Sequence, residues 1–453
     1  MEQEQLTMQV INAAAAGIDV GSRKHVVAVS QKIEHVKEFG VYTSDHENLI
    51  KYLREHKIRS VAMESTGSYW QMLFDALQKA GFEVLLVNGA HVKNVKGKKT
   101  DVLDCLWIQK LHSLGLLHGS FLLSEHLQSL RTYYSHRQHL IRQASKYISM
   151  MQKSLRLMNI RLDVVLNDIT GKSGRAILDA ILGGERDAVK LASLTNSLVK
   201  KSKKEIALAL QGQWREDLLF ELKSCLSIYD VYNDSIKNCD LQLEKMLIDY
   251  TKEVDLANEA SLKSVAKKQN KYSPNFNVRH FAFAQLRTDL YEIPGISHNT
   301  VLCLLTNLGN DIKKFKTAKQ FASWLRLVPN NKISGGKVIS SRTPKGKNTI
   351  ATALRQAANS IGNQKDHPLT PFFKRISFKK GRIAAITATA RKLAIIVWNM
   401  IVKQEPYKQC NYEESDKKHK ISQLKILGNR LLKLNLEKND IDVLIQRLSL
   451  STT

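Results

Sequence analysis

Between residues 14 and 115 short apolar runs alternate with polar breaks. Ala14–Val20, Val26–Ser30 and Val36–Tyr42 are of strand length and are parted by turn-like or charged residues. A helical stretch follows at His46–His56, then a strand at Ser60–Glu64. Helical spacing over Tyr69–Lys79 ends at Gly81 as a C-cap, Glu83–Val87 is another strand, and Asp101–Leu114 another helix. From about 125 to 285 the chain turns long, polar and helical. Leu127, Leu130, Tyr134, Ile141, Ile148, Met151, Leu155 and Met158 recur at three, four or seven residues, as on an amphipathic helix or coiled coil. Gly171–Gly184 reads as a break, Lys200–Lys204 as a solvated basic turn, Asp217–Asp249 as helix and Lys263–Asn277 as loop. A third region starts near Phe281. Ile293-Pro-Gly-Ile-Ser297 before the apolar helix Thr300–Leu308 has the pattern of a helix–hairpin–helix, a turn that offers backbone N–H groups to a phosphate. The short helix Phe321–Val328 stops at Pro329, Asn330–Lys347 is a polar glycine-bearing loop, and Thr349–Ile361 and Arg382–Met400 are helices.

Three strands, a helix, then alternating strand and helix is the order of an RNase H-like domain. There, acids at the ends of the first and fourth strands converge with acids from a late helix. The expected fold is therefore α/β followed by all-α. Four segments are expected: an α/β domain at 12–122, a helical coiled-coil and insertion region at 123–284, a mostly helical domain at 285–404 and a charged helical tail at 405–453.

Composition narrows the partners. Lys and Arg number 69 against 42 acids, a formal charge of +27 over 453 residues. Such a balance attracts polyanions, and because the cations spread over several segments instead of one amphipathic tail, nucleic acid leads over membrane. Five scattered cysteines with no CxxC pair argue against zinc and fit a reducing cytoplasm. The polar N-terminus is unlike a signal peptide, and no apolar run approaches the roughly 20 residues of a membrane span. The chain is expected to be soluble and cytoplasmic, with no membrane partner.

Four carboxylates carry the candidate chemistry. Asp19 lies in Ala-Gly-Ile-Asp-Val-Gly and Glu64 in Ala-Met-Glu-Ser-Thr-Gly, each at the end of an apolar run. Asp101 and Asp104, in Lys-Thr-Asp-Val-Leu-Asp, share one face of a helix. Such acids form a hard oxygen site suited to Mg²⁺, with Mn²⁺ as the alternative, and such a site acts on phosphodiesters. Taken singly the motifs are weaker: Gly-Ile-Asp-Val-Gly also opens the phosphate hairpin of actin-like kinases, and Asp101 with Asp104 could be an acidic first turn favoured by the helix dipole. Lys93, Lys96, Lys98 and Lys99 precede Asp101 as phosphate contacts or as a solvated loop, and Arg137 and Arg142 belong to the basic helix after it. Lys313 and Lys314 follow the apolar helix of the third region. In Asn331-Lys-Ile-Ser-Gly-Gly-Lys337 two glycines can leave the Ser334 hydroxyl exposed among Lys337, Arg342, Lys345 and Lys347. Locally Ser334 reads first as a turn serine, with Ser340 and Ser341 as competitors.

Gly17-Ile-Asp-Val-Gly21, Met63-Glu-Ser-Thr-Gly-Ser-Tyr-Trp70 and Lys99-Thr-Asp-Val-Leu-Asp104 resemble the DEDD-type insertion-sequence transposases, the family that includes the Piv invertases. Ile293-Pro-Gly-Ile296, Phe321–Pro329, Ser334-Gly-Gly-Lys337 and Leu354-Arg-Gln-Ala-Ala358 are similar to its C-terminal transposase domain, so the resemblance covers roughly 15–160 and 285–400. It implies a RuvC-like N-terminal domain with Mg²⁺ on Asp19, Glu64, Asp101 and Asp104, and Ser334 as the nucleophile that joins DNA covalently. It further implies donor and target DNA as substrates, a guide (bridge) RNA from the element's own flank, and dimers or tetramers in which domains of different subunits form one active site. The basic helices at 125–160 are then expected to bind RNA and pair subunits. Asn88-Gly89 departs from the family's usual Asn-Pro, and Cys105 from a common alanine. The competing reading is a RuvC-like, structure-selective nuclease that uses water and forms no covalent intermediate.

Overall fold

The computed structural model describes residues 9–65, 67–89, 100–252 and 270–407, with a few isolated positions of the tail beyond 420. The chain divides into two compact units, Met1–Leu122 and Leu123–Thr453.

The first unit is a five-stranded sheet with helices on both faces. Strands β1 (Ala15–Val20), β2 (His25–Ala28), β3 (Val36–Phe39), β4 (Ser60–Glu64) and β5 (Glu83–Val87) lie in the order β3-β2-β1-β4-β5. The β1–β2 and β2–β3 pairs are antiparallel, while β1–β4 and β4–β5 are parallel. Helices α1 (Thr43–Glu55) and α2 (Trp70–Lys79) provide the crossovers that parallel neighbours require. Alternation along the strands separates two faces. Ala16, Ile18 and Val20 of β1 and Val61 and Met63 of β4 pack with Leu49 and Leu53 of α1 and Leu73 and Leu77 of α2. The other face is covered by α3 (Asp101–Ser113), through Cys105 against Val26 and Ala28 and Ile108 against Ala62 and Val87.

Among its described residues the second unit is almost wholly helical. The longest elements described in it are α4 (Glu125–Leu157) and α9 (Glu216–Thr251), 33 and 36 residues. Each is about 50 Å long at 1.5 Å per residue. They run antiparallel, as four pairings show: His126 with Tyr250, Arg137 with Asp240, Tyr147 with Tyr232, and Ser154 with Glu221. The apolar stripe read along 127–158 is thus covered by α9 of the same chain. Between the two long helices, α5 (Leu162–Val165), α6 (Lys172–Leu182), α7 (Ala188–Ser193) and α8 (Lys203–Ala209) cap the pair. Ile177, Ile181, Leu191 and Ile206 join Met151, Leu155 and Leu222 in one core.

Two segments of this cap differ from the sequence reading. Gly171–Gly184 is no break: Gly171 and Gly183 bound helix α6. Gly174 lies inside it because a Cβ there would stand 2.2 Å from the Ile169 carbonyl oxygen. Nor is Lys200–Lys204 merely a solvated turn. Ser202 accepts from the Glu205 N–H in a capping box that starts α8, and the Lys203 ammonium donates to the Ala192 and Ser193 carbonyls at the end of α7.

Up to residue 407 the described chain continues with helices α10 (Val278–Leu286), α11 (His298–Asn307), α12 (Ala318–Trp324), α13 (Thr349–Gly362), α14 (Thr370–Lys380) and α15 (Arg382–Lys403). Gly295 (φ +81°) makes the turn before α11, and Ser297 caps that helix by accepting from the Thr300 N–H. The loop at 330–347 contains a two-stranded hairpin, β6 (Lys332–Ser334) and β7 (Lys337–Ser340). Helix α15 is long and apolar enough to cross a membrane by length and composition alone, yet half of its apolar window is buried inside this bundle. Its Trp398 donates to the Phe315 carbonyl at 3.2 Å.

Candidate active site

In the first unit β1 and β4 are adjacent and parallel, with Ile18 opposite Met63. Both side chains enter the α1/α2 core, so the next residue on each strand turns to the α3 face. Those residues are Asp19 and Glu64, at the ends of strands whose backbones run about 4.8 Å apart. Both are half-buried.

Helix α3 brings the other two acids. Asp101 and Asp104 occupy its first turn, where Thr100 caps the helix by accepting from the Leu103 N–H at 3.3 Å. What draws α3 so near the sheet is Gly17. A Cβ at Gly17 would lie 2.3 Å from the Gln109 nitrogen and 2.5 Å from the Cys105 oxygen, so any side chain there pushes helix and strand apart. Gln109 completes the seam by donating to the Ala15 carbonyl at 3.1 Å.

Electrostatics reports the same neighbourhood. Burial pushes the Cys105 thiol up to about 12, and the Asp19 and Asp104 carboxylates push in the same direction. Both acids therefore act on one buried sulfur. Lys24, in the β1–β2 turn, has its pKa raised first by its hydrogen bond to Glu38 and further by Asp101. The Glu64 carboxylate reaches toward the end of β5, where a Cβ on Gly89 would stand 2.1 Å from its Oε1.

Asp19 and Glu64 on the α3 side of the sheet, and Asp101 and Asp104 in the first turn of α3, are hard oxygen donors of the kind that suits a hard divalent cation. Among the described residues, no group of three His, Cys, Asp or Glu side chains is gathered closely enough to hold a metal ion. Lys93, Lys96, Lys98 and Lys99 lie outside the described residues.

Within the second unit, Ser334 is the last residue of β6, paired across the hairpin with Lys337. Gly335 and Gly336 link them with φ of +54° and +73°, a two-residue turn with both central residues left-handed, as in type I′. Ser334 is exposed, as are Lys337, Arg342, Lys345 and Lys347. Asn330 donates to the Arg342 carbonyl at 3.0 Å, and the Arg326 guanidinium donates to the Lys345 carbonyl, tying down the segment behind the hairpin. Lys313 and Lys314 sit exposed on a 3₁₀ turn, Gly309–Lys314, and the Lys314 ammonium pairs with Asp311 at 3.1 Å.

Arg142 is exposed on α4, but Arg137 is not. Expected as a nucleic-acid contact, Arg137 is fully buried and donates to both Asp240 oxygens at 2.5 and 3.1 Å and to the Tyr272 carbonyl at 3.1 Å. Its charge is neutralised inside the helical pair and is out of reach of a phosphate. From sequence, Gly17 has no role beyond its place in the Asp19 motif, Gly89 figures only as a departure from the family pattern, and Lys24 carries no signal at all. Gly17 stands two residues before Asp19 inside an apolar strand, the position where a glycine signals close backbone approach.

A family model for IS110 DEDD transposases, described as "Transposase", matches residues 16–160, and one described as "Transposase IS116/IS110/IS902 family" matches 287–372. The chain is 28% identical over 120 residues to the transposase for insertion sequence element IS1111A of Coxiella burnetii, covering 26% of this chain and 33% of that protein. It is 29% identical over 127 residues to the putative transposase y4pF/y4sB of Sinorhizobium fredii, covering 27% and 32%. The chain thus spans about a third of the length of the curated relatives it matches. These matches place the chain in the class of DEDD transposases, with which its mixed α/β first unit is consistent. Within that class it belongs to the IS110 family.

Proposed function

We propose that this protein is an insertion-sequence DNA transposase whose first unit is an RNase H-like, RuvC-like metal domain and whose second unit carries a serine nucleophile. The observation that supports it most is the sheet order β3-β2-β1-β4-β5 with Asp19 and Glu64 ending adjacent parallel strands under the helix that bears Asp101 and Asp104. These four carboxylates would hold Mg²⁺, or Mn²⁺ in its place, supplying positive charge that polarises a phosphodiester and stabilises the leaving oxygen. The Ser334 hydroxyl, exposed at the hairpin end, attacks phosphorus and gives up its proton; the Ser334–phosphorus ester forms as the bond to the leaving nucleotide oxygen breaks, and that oxygen takes up a proton in exchange. Attack by a hydroxyl of the second strand reverses the step, releasing Ser334 and sealing the new phosphodiester. Lys337, Arg342, Lys345 and Lys347 lie on the same exposed segment and suit the phosphate backbone. Donor and target DNA, a guide RNA and a homo-dimer or tetramer are the partners this reading carries, and the charge of +27 favours polyanions.

A denaturing-gel assay for protein–DNA adducts tests it, with Mg²⁺, element-junction and target DNA, and RNA from the element's flank. A Mg²⁺-dependent adduct that disappears in Ser334→Ala supports the serine step. Cleavage without an adduct, equal in wild type and Ser334→Ala, overturns it in favour of a water-using nuclease.

A further inference from the structure

We infer that the turn joining α14 to α15 is a stacking contact for unpaired bases, with Phe378 as the stacking face. Six consecutive residues, Phe378–Ile383, are exposed. Phe378 is 93% exposed and Ile383 84%. The neighbouring phenylalanines have occupations within the fold: Phe373 is buried under the Arg382 guanidinium, and Phe372 lies beneath Lys392 at 4.1 Å. Phe378 projects from the last turn of α14, and Gly381 (φ +83°) then turns the chain sharply into α15.

The surroundings choose the partner. From His367 to Gln404 the chain has no Asp or Glu, while Lys374, Arg375, Lys379, Lys380 and Arg382 crowd the turn. Arg382 is held by the Asn359 and Asn363 carboxamide oxygens, and among the described residues no acid pairs with it. An aromatic face flanked by lysines is what a sequence-tolerant single-strand site requires: the ring stacks on a base and the ammonium groups meet the adjoining phosphates. A protein interface is disfavoured by this charge density, because interface cores are depleted in charge. A membrane is disfavoured because the apolar side of α15 is already buried, through Leu393, Ala394, Val397 and Ile401, leaving two side chains rather than an apolar face.

The inference rests on the nucleic-acid reading above, but its test needs neither metal nor catalysis. Fluorescence anisotropy would measure the full chain in EDTA against short oligothymidylate, short oligouridylate and a duplex, for wild type, Phe378→Ala, Phe378→Trp and Lys379→Ala/Lys380→Ala. Phe378→Ala should weaken single-strand binding roughly 5- to 100-fold with little change in duplex binding or salt slope. Phe378→Trp should restore affinity, with its fluorescence quenched on binding. The double lysine variant should weaken all three ligands and flatten the salt slope by roughly 1 to 2. The side chain is almost wholly solvated, so loss of folding does not confound Phe378→Ala. Wild-type single-strand binding that Phe378→Ala leaves unchanged overturns the stacking role alone. Capture of wild type but not Phe378→Ala by phosphatidylserine vesicles, without an effect on oligonucleotides, overturns it in favour of a membrane. No nucleic-acid binding by any form overturns the wider reading as well.

Discussion

Removing one partner of the Arg137–Asp240 pair should destabilise the helical unit more than most single changes. Both side chains are buried, at 0% and 3% exposure. Asp240→Ala leaves a guanidinium in the core with only the Tyr272 carbonyl to meet it, while its Nη1 already lacks a partner. Breaking such a pair costs about 3–5 kcal/mol. At roughly 2.1 cal/mol/K per residue, the unit Leu123–Thr453 has an unfolding entropy of about 0.7 kcal/mol/K, so its calorimetric transition should fall by about 4–7 °C. Replacing both residues, as Arg137→Met/Asp240→Leu, removes the uncompensated charge and should recover most of the loss. Nucleic-acid affinity of the double variant, measured below its transition, should match wild type. A fall of less than about 3 °C in Asp240→Ala, or a loss of nucleic-acid affinity in the double variant at unchanged stability, would refute the structural role and return Arg137 to the surface.

Gly17→Ala forces a Cβ into the backbone of α3 and should cost at least about 1–3 kcal/mol, read as a lower urea midpoint for the sheet unit; an unchanged midpoint contradicts the close seam. Gly89→Ala meets only the mobile end of Glu64, so stability should hold while the Mg²⁺ needed for half-maximal cleavage rises roughly tenfold; an unchanged Mg²⁺ titration removes Gly89 from the site. Burial, with a smaller push from His46, lowers the His25 pKa from 6.5 to about 4, and neither ring nitrogen has a hydrogen-bond partner. The unfolded chain therefore binds a proton below pH 6.5 that the folded unit refuses until about pH 4, and stability should fall by up to about 3 kcal/mol as pH drops through that window. His25→Leu should flatten the fall, and an equally steep fall in that variant would assign the acid lability elsewhere.

The strands were readable because their apolar runs are short and bounded, and the register that sets Asp19 beside Glu64 follows from buried residues on alternate positions. Helix α6 was hidden by glycines at both ends and by Gly174, whose purpose is a contact with Ile169 that local sequence does not display. The hairpin at Ser334 had its signature in Ser-Gly-Gly-Lys, but its strands bury no residue, so no hydrophobic alternation marked them. Arg137 carries a signal of its burial in the sequence. It lies three residues after Tyr134 and four before Ile141, on the apolar stripe itself, where a charge calls for a buried partner. That partner is 103 positions away, beyond any local pattern.

The long helical pair also sets an order of assembly. Helix α4 leaves the ribosome well before α9, which begins 59 positions after α4 ends. At roughly 5–20 residues per second this leaves α4 without its partner for several seconds. Only the cap helices α5–α8 are made in that interval, and their apolar residues cover Met151 and Leu155 at the far end of α4. The contact across the smallest chain separation, Ser154 with Glu221, then closes first, and pairing proceeds through Arg137 with Asp240 toward His126 with Tyr250. Residues 161–215 thus supply the first apolar cover for α4, and the chain length they span sets the entropy cost of closing the pair.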